Sequence, residues 1–111
     1  MDITMKTYIK SIIAQAEAYE QCNVRLGNKY FDIANSMYTK LKEENRISEF
    51  KQLLHHDNIY VKIRAAAICL QFPDLQAYCE AMLTEIVNMR GDIGGAALSV
   101  LTTWYSGRMV F

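Results

Sequence analysis

The residues with most chemical capacity in this chain sit together at His55-His56-Asp57, just ahead of the run Asn58-Ile59-Tyr60-Val61-Lys62-Ile63-Arg64-Ala65-Ala66-Ala67. Imidazoles and a carboxylate are metal ligands and proton carriers. Two adjacent histidines diverge on any regular element, so this trio could hold a metal only from an irregular loop. No Cys-x-x-Cys, His-Glu-x-x-His or carboxylate-rich calcium loop accompanies them. Cys22 with His55 or His56 would make a thiolate–imidazole pair, but nothing in the spacing brings them together and no third orienting group is identifiable. Serines 11, 36, 48, 99 and 106 lack a nucleophile-elbow context. Glu43-Glu44 reads as the solvated end of a helix rather than a catalytic pair. The run Gly91-Asp92-Ile93-Gly94-Gly95 lacks the lysine and the preceding strand of a phosphate loop, and reads as a tight helix joint whose glycines let backbones approach. No catalytic, cofactor-binding or metal-ligating residue is assigned on this basis. The histidines are expected at a helix joint, with His55 and His56 available for a partner.

The elements around these residues are helical. Only one proline and five glycines are present, and alternation of the strand kind is nearly absent. A first helix is expected over 3–20, with Met5, Tyr8, Ile9, Ile12, Ile13, Ala16 and Tyr19 on its apolar stripe. A break follows at 21–27. A second helix over 28–44 carries Tyr30, Ala34, Met37, Tyr38 and Leu41, widened by Phe31. A short third over 47–54 turns Ile47, Phe50, Leu53 and Leu54 inward. The fourth, 59–71, is capped by Asp57 or Asn58 and buries Val61, Ala65, Ile68, Cys69 and Phe72. Pro73 ends it. Asp74 is the expected cap of a fifth helix over 75–89. Gly91 suits a left-handed C-terminal position, Asp92 a cap for the sixth helix, and Gly107 its end. Six helices with short joints suggest three antiparallel pairs, the pairs near 47–71 and 75–105 resembling stacked repeat units. A compact orthogonal helical bundle is the alternative. Small Ala65, Ala66 and Ala67 suit a close helix–helix seam.

Composition narrows the function classes. A chain of 111 residues suits one domain, here 1–111, and its 51% hydrophobic and 22% charged content fits a folded core. Twelve basic and twelve acidic residues cancel, which counts against broad nucleic-acid binding; a continuous Lys10–Lys29–Lys40–Lys42 face would revive it. No apolar run reaches the roughly 20 residues of a membrane span. No cationic stretch leads into an apolar core near Met1, so no secretory signal is expected. The odd, scattered set Cys22, Cys69 and Cys79 reads as reduced, core or half-buried thiols of a cytoplasmic protein.

The segment Asp57-Asn58-Ile59-Tyr60-Val61-Lys62-Ile63-Arg64-Ala65-Ala66-Ala67-Ile68-Cys69-Leu70 resembles the second helix of a HEAT-like unit. More narrowly, residues 28–107 resemble a bacterial family of short HEAT-like helical proteins of unknown function. The matching positions are Asn35, the joint Leu53, Leu54, His55 and Asn58, the helix Val61, Arg64, Ala65 and Ala66, and the ending Trp104 and Gly107. The chain departs at Lys62, where that family often has arginine. The resemblance implies a helical scaffold and no established reaction. Some small HEAT-like bacterial proteins are immunity proteins beside toxins, which makes an immunity role the favoured form of a protein-binding scaffold. A structural adaptor or regulatory subunit, a nucleic-acid-binding repeat and a small enzyme are the alternatives. Seven tyrosines offer large rings with a polar handle, and Tyr30, Tyr60, His55, His56 and Phe111 are the candidate partner-binding residues. Trp104 is expected to seal the last helical pair. The apolar tail at 108–111 either folds back over it or joins an interface, a homodimer seam included.

Overall fold

The computed structural model describes residues 1–111 and is all-helical. Its elements are α1 (Ile3–Glu20), α2 (Val24–Glu43), a 3-10 segment (Ile47–His55), α3 (Ile59–Cys69), α4 (Gln76–Val87) and α5 (Asp92–Tyr105). Packing divides the chain into two compact units, Met1–Glu49 and Phe50–Phe111.

In the first unit α1 and α2 form an antiparallel hairpin. Asp2 caps α1 by accepting from the Met5 N–H, and Arg46, just past α2, reaches the same carboxylate at 2.8 Å. At the other end Tyr19 lies over Gly27, and its hydroxyl donates to Asn28 Oδ1 at 2.6 Å. The buried face of α1 is Thr4, Met5, Tyr8, Ser11, Ile12, Gln15 and Ala18. It is rotated from the expected stripe: Ile9, Ile13 and Ala16 are half-buried, and Tyr19 is exposed. Tyr19 is drawn outward to cover the first turn of α2. The polar members of the buried face are tolerated because every buried side-chain nitrogen and oxygen has a hydrogen-bond partner.

α2 begins four residues earlier than the apolar pattern suggests, at Val24. Two local devices start it. Asn23 accepts from the Leu26 N–H, and α1 ends in a tight reversal in which the Asn23 N–H donates to Ala18 O while Cys22 takes φ 58°. Gly27 is a weak helix former, but a Cβ there would strike the Tyr19 ring. The same reversal closes α2, with Asn45 at φ 57° and the Arg46 N–H on Leu41 O.

The short third helix expected over 47–54 is present as a 3-10 helix, Ile47–His55. A three-residue period sets Ile47, Phe50 and Leu53 along one ridge, and Phe50 and Leu53 are fully buried. In the second unit α3 packs against both α4 and α5, and α4 against α5. Val61, Ala65, Ala66 and Cys69 on α3 are wholly buried, with Cys79 and Leu83 on α4 and Ala97 on α5. Of the three small alanines expected at a seam, Ala65 and Ala66 lie inside, and Ala67 is half-buried.

Two expected caps fall elsewhere. The turn after Pro73 is closed by the Leu75 N–H on Phe72 O, so Leu75 occupies the cap of α4 and Asp74 makes no capping bond. Gly91 (φ 75°, ψ −149°) is the cap of α5 rather than the C-terminal end of α4, and Asp92 is already helical. Only glycine adopts that conformation without strain. Gly107, at φ 75°, does close α5, with the Arg108 N–H on Thr103 O.

Candidate functional site

The histidine joint is a folding device. Asn58, not Asp57, caps α3: its Oδ1 accepts from Tyr60 N–H at 2.9 Å and Val61 N–H at 3.2 Å. His56, half-buried, accepts the Asn58 N–H on Nδ1 at 3.0 Å, which fixes the turn before the helix. That bond requires an unprotonated Nδ1. His55 is exposed and turns away, its ring edge-on to Tyr78 at 6.3 Å between centroids. Asp57 is exposed. The adjacent imidazoles diverge, and no three His, Cys, Asp or Glu side chains are grouped as metal ligands would be.

The other sequence candidates are scattered. Tyr30 is half-buried on α2 in the first unit. Tyr60 is half-buried in the first turn of α3. Phe111 is half-buried, its ring edge-on to Trp104 at 6.3 Å and 67°, so the tail folds back over α5. Of the five, His55, His56 and Tyr60 fall within six residues at the joint into α3, and the two histidines serve different contacts. Cys69 and Cys79 are fully buried free thiols on α3 and α4. Hydrogen bonding to Cys79, reinforced by burial, pushes the Cys69 thiol up, so it stays protonated. Cys22, expected to be buried or half-buried, is exposed at the tight reversal after α1.

One charged cluster belongs to the first unit. The Arg46 guanidinium donates to both oxygens of Glu49, at 2.6 and 3.0 Å, to Glu44 at 3.0 Å and to Asp2 at 2.8 Å. It holds the Asp2 carboxyl down to about 2, helped by the Met5 N–H, and depresses Glu49. These charges satisfy one another at the ends of α1 and α2, which is a structural role.

A second constellation lies at the far end of the α4–α5 pair. Trp104, the next-to-last residue of α5, donates its indole N–H to Glu80 Oε1 at 2.7 Å. Glu80 is in the second turn of α4, so the pair is antiparallel. Tyr105 is 66% exposed, yet its hydroxyl faces Glu80. Reduced hydration, then the Glu80 charge and a hydrogen bond to it, push that hydroxyl above the usual phenol value. Phe111 flanks Trp104. Neither Glu80 nor Tyr105 is singled out in the sequence; Trp104 and Phe111 are. Along α5, Gly95, Leu98, Thr102 and Tyr105 form an exposed strip that flanks the buried stripe of Gly94, Ala97 and Leu101.

No family model, curated protein or solved structure matches the chain. No helix is long and apolar enough to cross a membrane.

Proposed function

We propose that the chain is a non-catalytic, protein-binding helical scaffold of the HEAT-like kind, acting in the cytoplasm, with a cognate toxin as its partner. The observation that carries the reading is the outer face of α5. Leu98 is 53% and Tyr105 66% exposed, beside a buried stripe that packs the helix against the rest of its unit. Apolar side chains presented to water on a rigid helix are what a partner surface buries, and aromatic anchors dominate such interfaces. His55 with Tyr78, itself 46% exposed, adds a second outward aromatic contact in the same unit. The resemblance to short HEAT-like proteins supports the toxin as the kind of partner: a neutraliser binds the toxin and blocks its active site or substrate path.

The test is co-expression with the product of an adjacent toxin-like gene. A one-to-one complex should elute together, and Leu98→Glu should weaken it by at least tenfold, about 1.4 kcal/mol. A toxin that neither binds nor is neutralised would overturn the immunity reading. A complex indifferent to Leu98→Glu would overturn the role of the α5 face. Self-association without a partner would favour a homodimer instead.

A further inference from the structure

We propose that Glu80, Trp104, Tyr105 and Phe111 form a binding site for a guanidinium group, with Glu80 as the anionic acceptor and the aromatic rings as its walls. Glu80 is half-buried, and its Oε1 accepts the Trp104 indole N–H at 2.7 Å. The Tyr105 hydroxyl is near enough to feel its charge. The indole donor is neutral. It stabilises the negative charge and orients the carboxylate, but does not cancel it. The ion-pair cluster around Arg46 lies in the other unit and does not include Glu80. A partly desolvated carboxylate without a cation attracts one more strongly than a carboxylate in open water.

The surroundings select the kind of cation. Trp104 and Phe111 meet edge-to-face, at 67° and 6.3 Å between centroids, so their ring planes form a corner rather than a stack. Tyr105 follows Trp104 directly in the chain and keeps most of its ring in water. A guanidinium is planar, weakly hydrated, stacks on aromatic faces and donates up to five hydrogen bonds, several of them to one carboxylate. A hydrated metal ion uses none of the aromatic surface. A simple ammonium uses the charge but not the planar stacking. The elements holding the site are rigid: Glu80 and Trp104 lie on packed helices, and Gly107 turns the chain so that the tail returns to Trp104. The inference rests on this local geometry and not on the toxin reading. An arginine side chain of a protein and a free guanidinium compound present the same chemistry.

Trp104 is the single tryptophan of the chain, so its fluorescence reports the site directly. The probes are ethylguanidinium chloride and its neutral planar counterpart ethylurea, at constant ionic strength. Ethylguanidinium should change Trp104 emission saturably, and ethylurea at equal concentration should not. Glu80→Gln keeps an acceptor for the indole N–H but removes the charge; it should weaken ethylguanidinium binding at least tenfold. Tyr105→Ala, at a largely exposed position, should weaken it severalfold without altering the far-ultraviolet circular dichroism. A second arm compares Nα-acetyl-arginine amide with free arginine. Tighter binding of the blocked form assigns the site to an arginine within a protein chain; tighter binding of free arginine assigns it to a solute. An equal response to ethylurea, a response without saturation, or undiminished binding in folded Glu80→Gln would overturn the proposal.

Discussion

Gly94 and Gly95 are adjacent in the first turns of α5, and replacing each by alanine should change stability in opposite directions. A methyl group on Gly94 points at the backbone carbonyl oxygens of Met89 and Val87, the latter 2.8 Å away. Backbone at the end of α4 cannot rotate aside as a side chain can, so the two helices must separate locally. Overpacking of this kind costs about 1–3 kcal/mol. Alanine recovers about 0.5–1 kcal/mol of helix propensity, leaving a net loss centred on about 1 kcal/mol and reaching about 2.5 kcal/mol for Gly94→Ala. At Gly95 the added methyl meets nothing within 4 Å. Gly95→Ala should therefore stabilise by about 0.4–1 kcal/mol, chiefly by restricting the unfolded chain. Unfolding entropy of about 2.1 cal/mol/K per residue converts 1 kcal/mol into about 4 °C if all 111 residues melt together, or about 8 °C if residues 50–111 melt by themselves. Thermal melts followed by circular dichroism should place Gly95→Ala above the parent and Gly94→Ala below it. Urea titration should give the same order with unchanged slope. A Gly94→Ala variant as stable as the parent, or a Gly95→Ala variant that melts lower than Gly94→Ala, would refute the close approach of α5 to the α4 terminus.

Three further outcomes follow from the same geometry. Asn58→Ala removes two capping bonds at the start of α3 and should lower stability by about 1 kcal/mol in urea titration, whereas Asn58→Asp should retain most of it. The Asp2 carboxyl is held at about 2 against an ordinary 3.8, chiefly by Arg46, so its contribution is present above pH 3.8 and is lost as the pH falls towards 2; Arg46→Met should flatten that part of the acid unfolding curve, while an unchanged curve would show that the cluster carries no linkage. With a thiol reagent under native conditions Cys22 should react at once, and Cys69 and Cys79 only at the rate of unfolding; rapid loss of all three thiols would contradict the burial of the α3–α4 pair.

Helix content was legible because the information is local. Asn58 before Ile59 and Gly107 after the last stripe mark ends that any chain must mark, since helix termini leave unsatisfied backbone groups, whereas α3 closes at Cys69, short of the end that Pro73 suggested. The start of α2 was not legible for a related reason. Its signals are Asn23 as cap and Cys22 and Gly27 in roles set by the neighbouring helix, and Gly27 is intelligible only once Tyr19 lies over it. The 3-10 geometry of 47–55 was hidden because the positions 47, 50, 53 and 54 fit a 3.6-residue period almost as well as a three-residue one.

The candidate site shows the limit more sharply. Glu80 and Trp104 are 24 positions apart, on different helices, and their hydrogen bond depends on how far α5 is drawn along α4. That register is set by packing at the opposite end, where Gly94 meets the carbonyls of Val87 and Met89. One helical residue advances 1.5 Å, so a shift of a single residue exceeds the tolerance of a 2.7 Å hydrogen bond. The close approach at Gly94 and the carboxylate–indole contact are therefore two ends of one constraint. Gly94→Ala should not only lower stability but also change the environment of Trp104, read as a shift in its emission with Glu80 untouched. If Gly94→Ala melts lower while Trp104 emission stays as in the parent, the two ends are uncoupled, and the site owes its register to Ala97 and Leu101 between them.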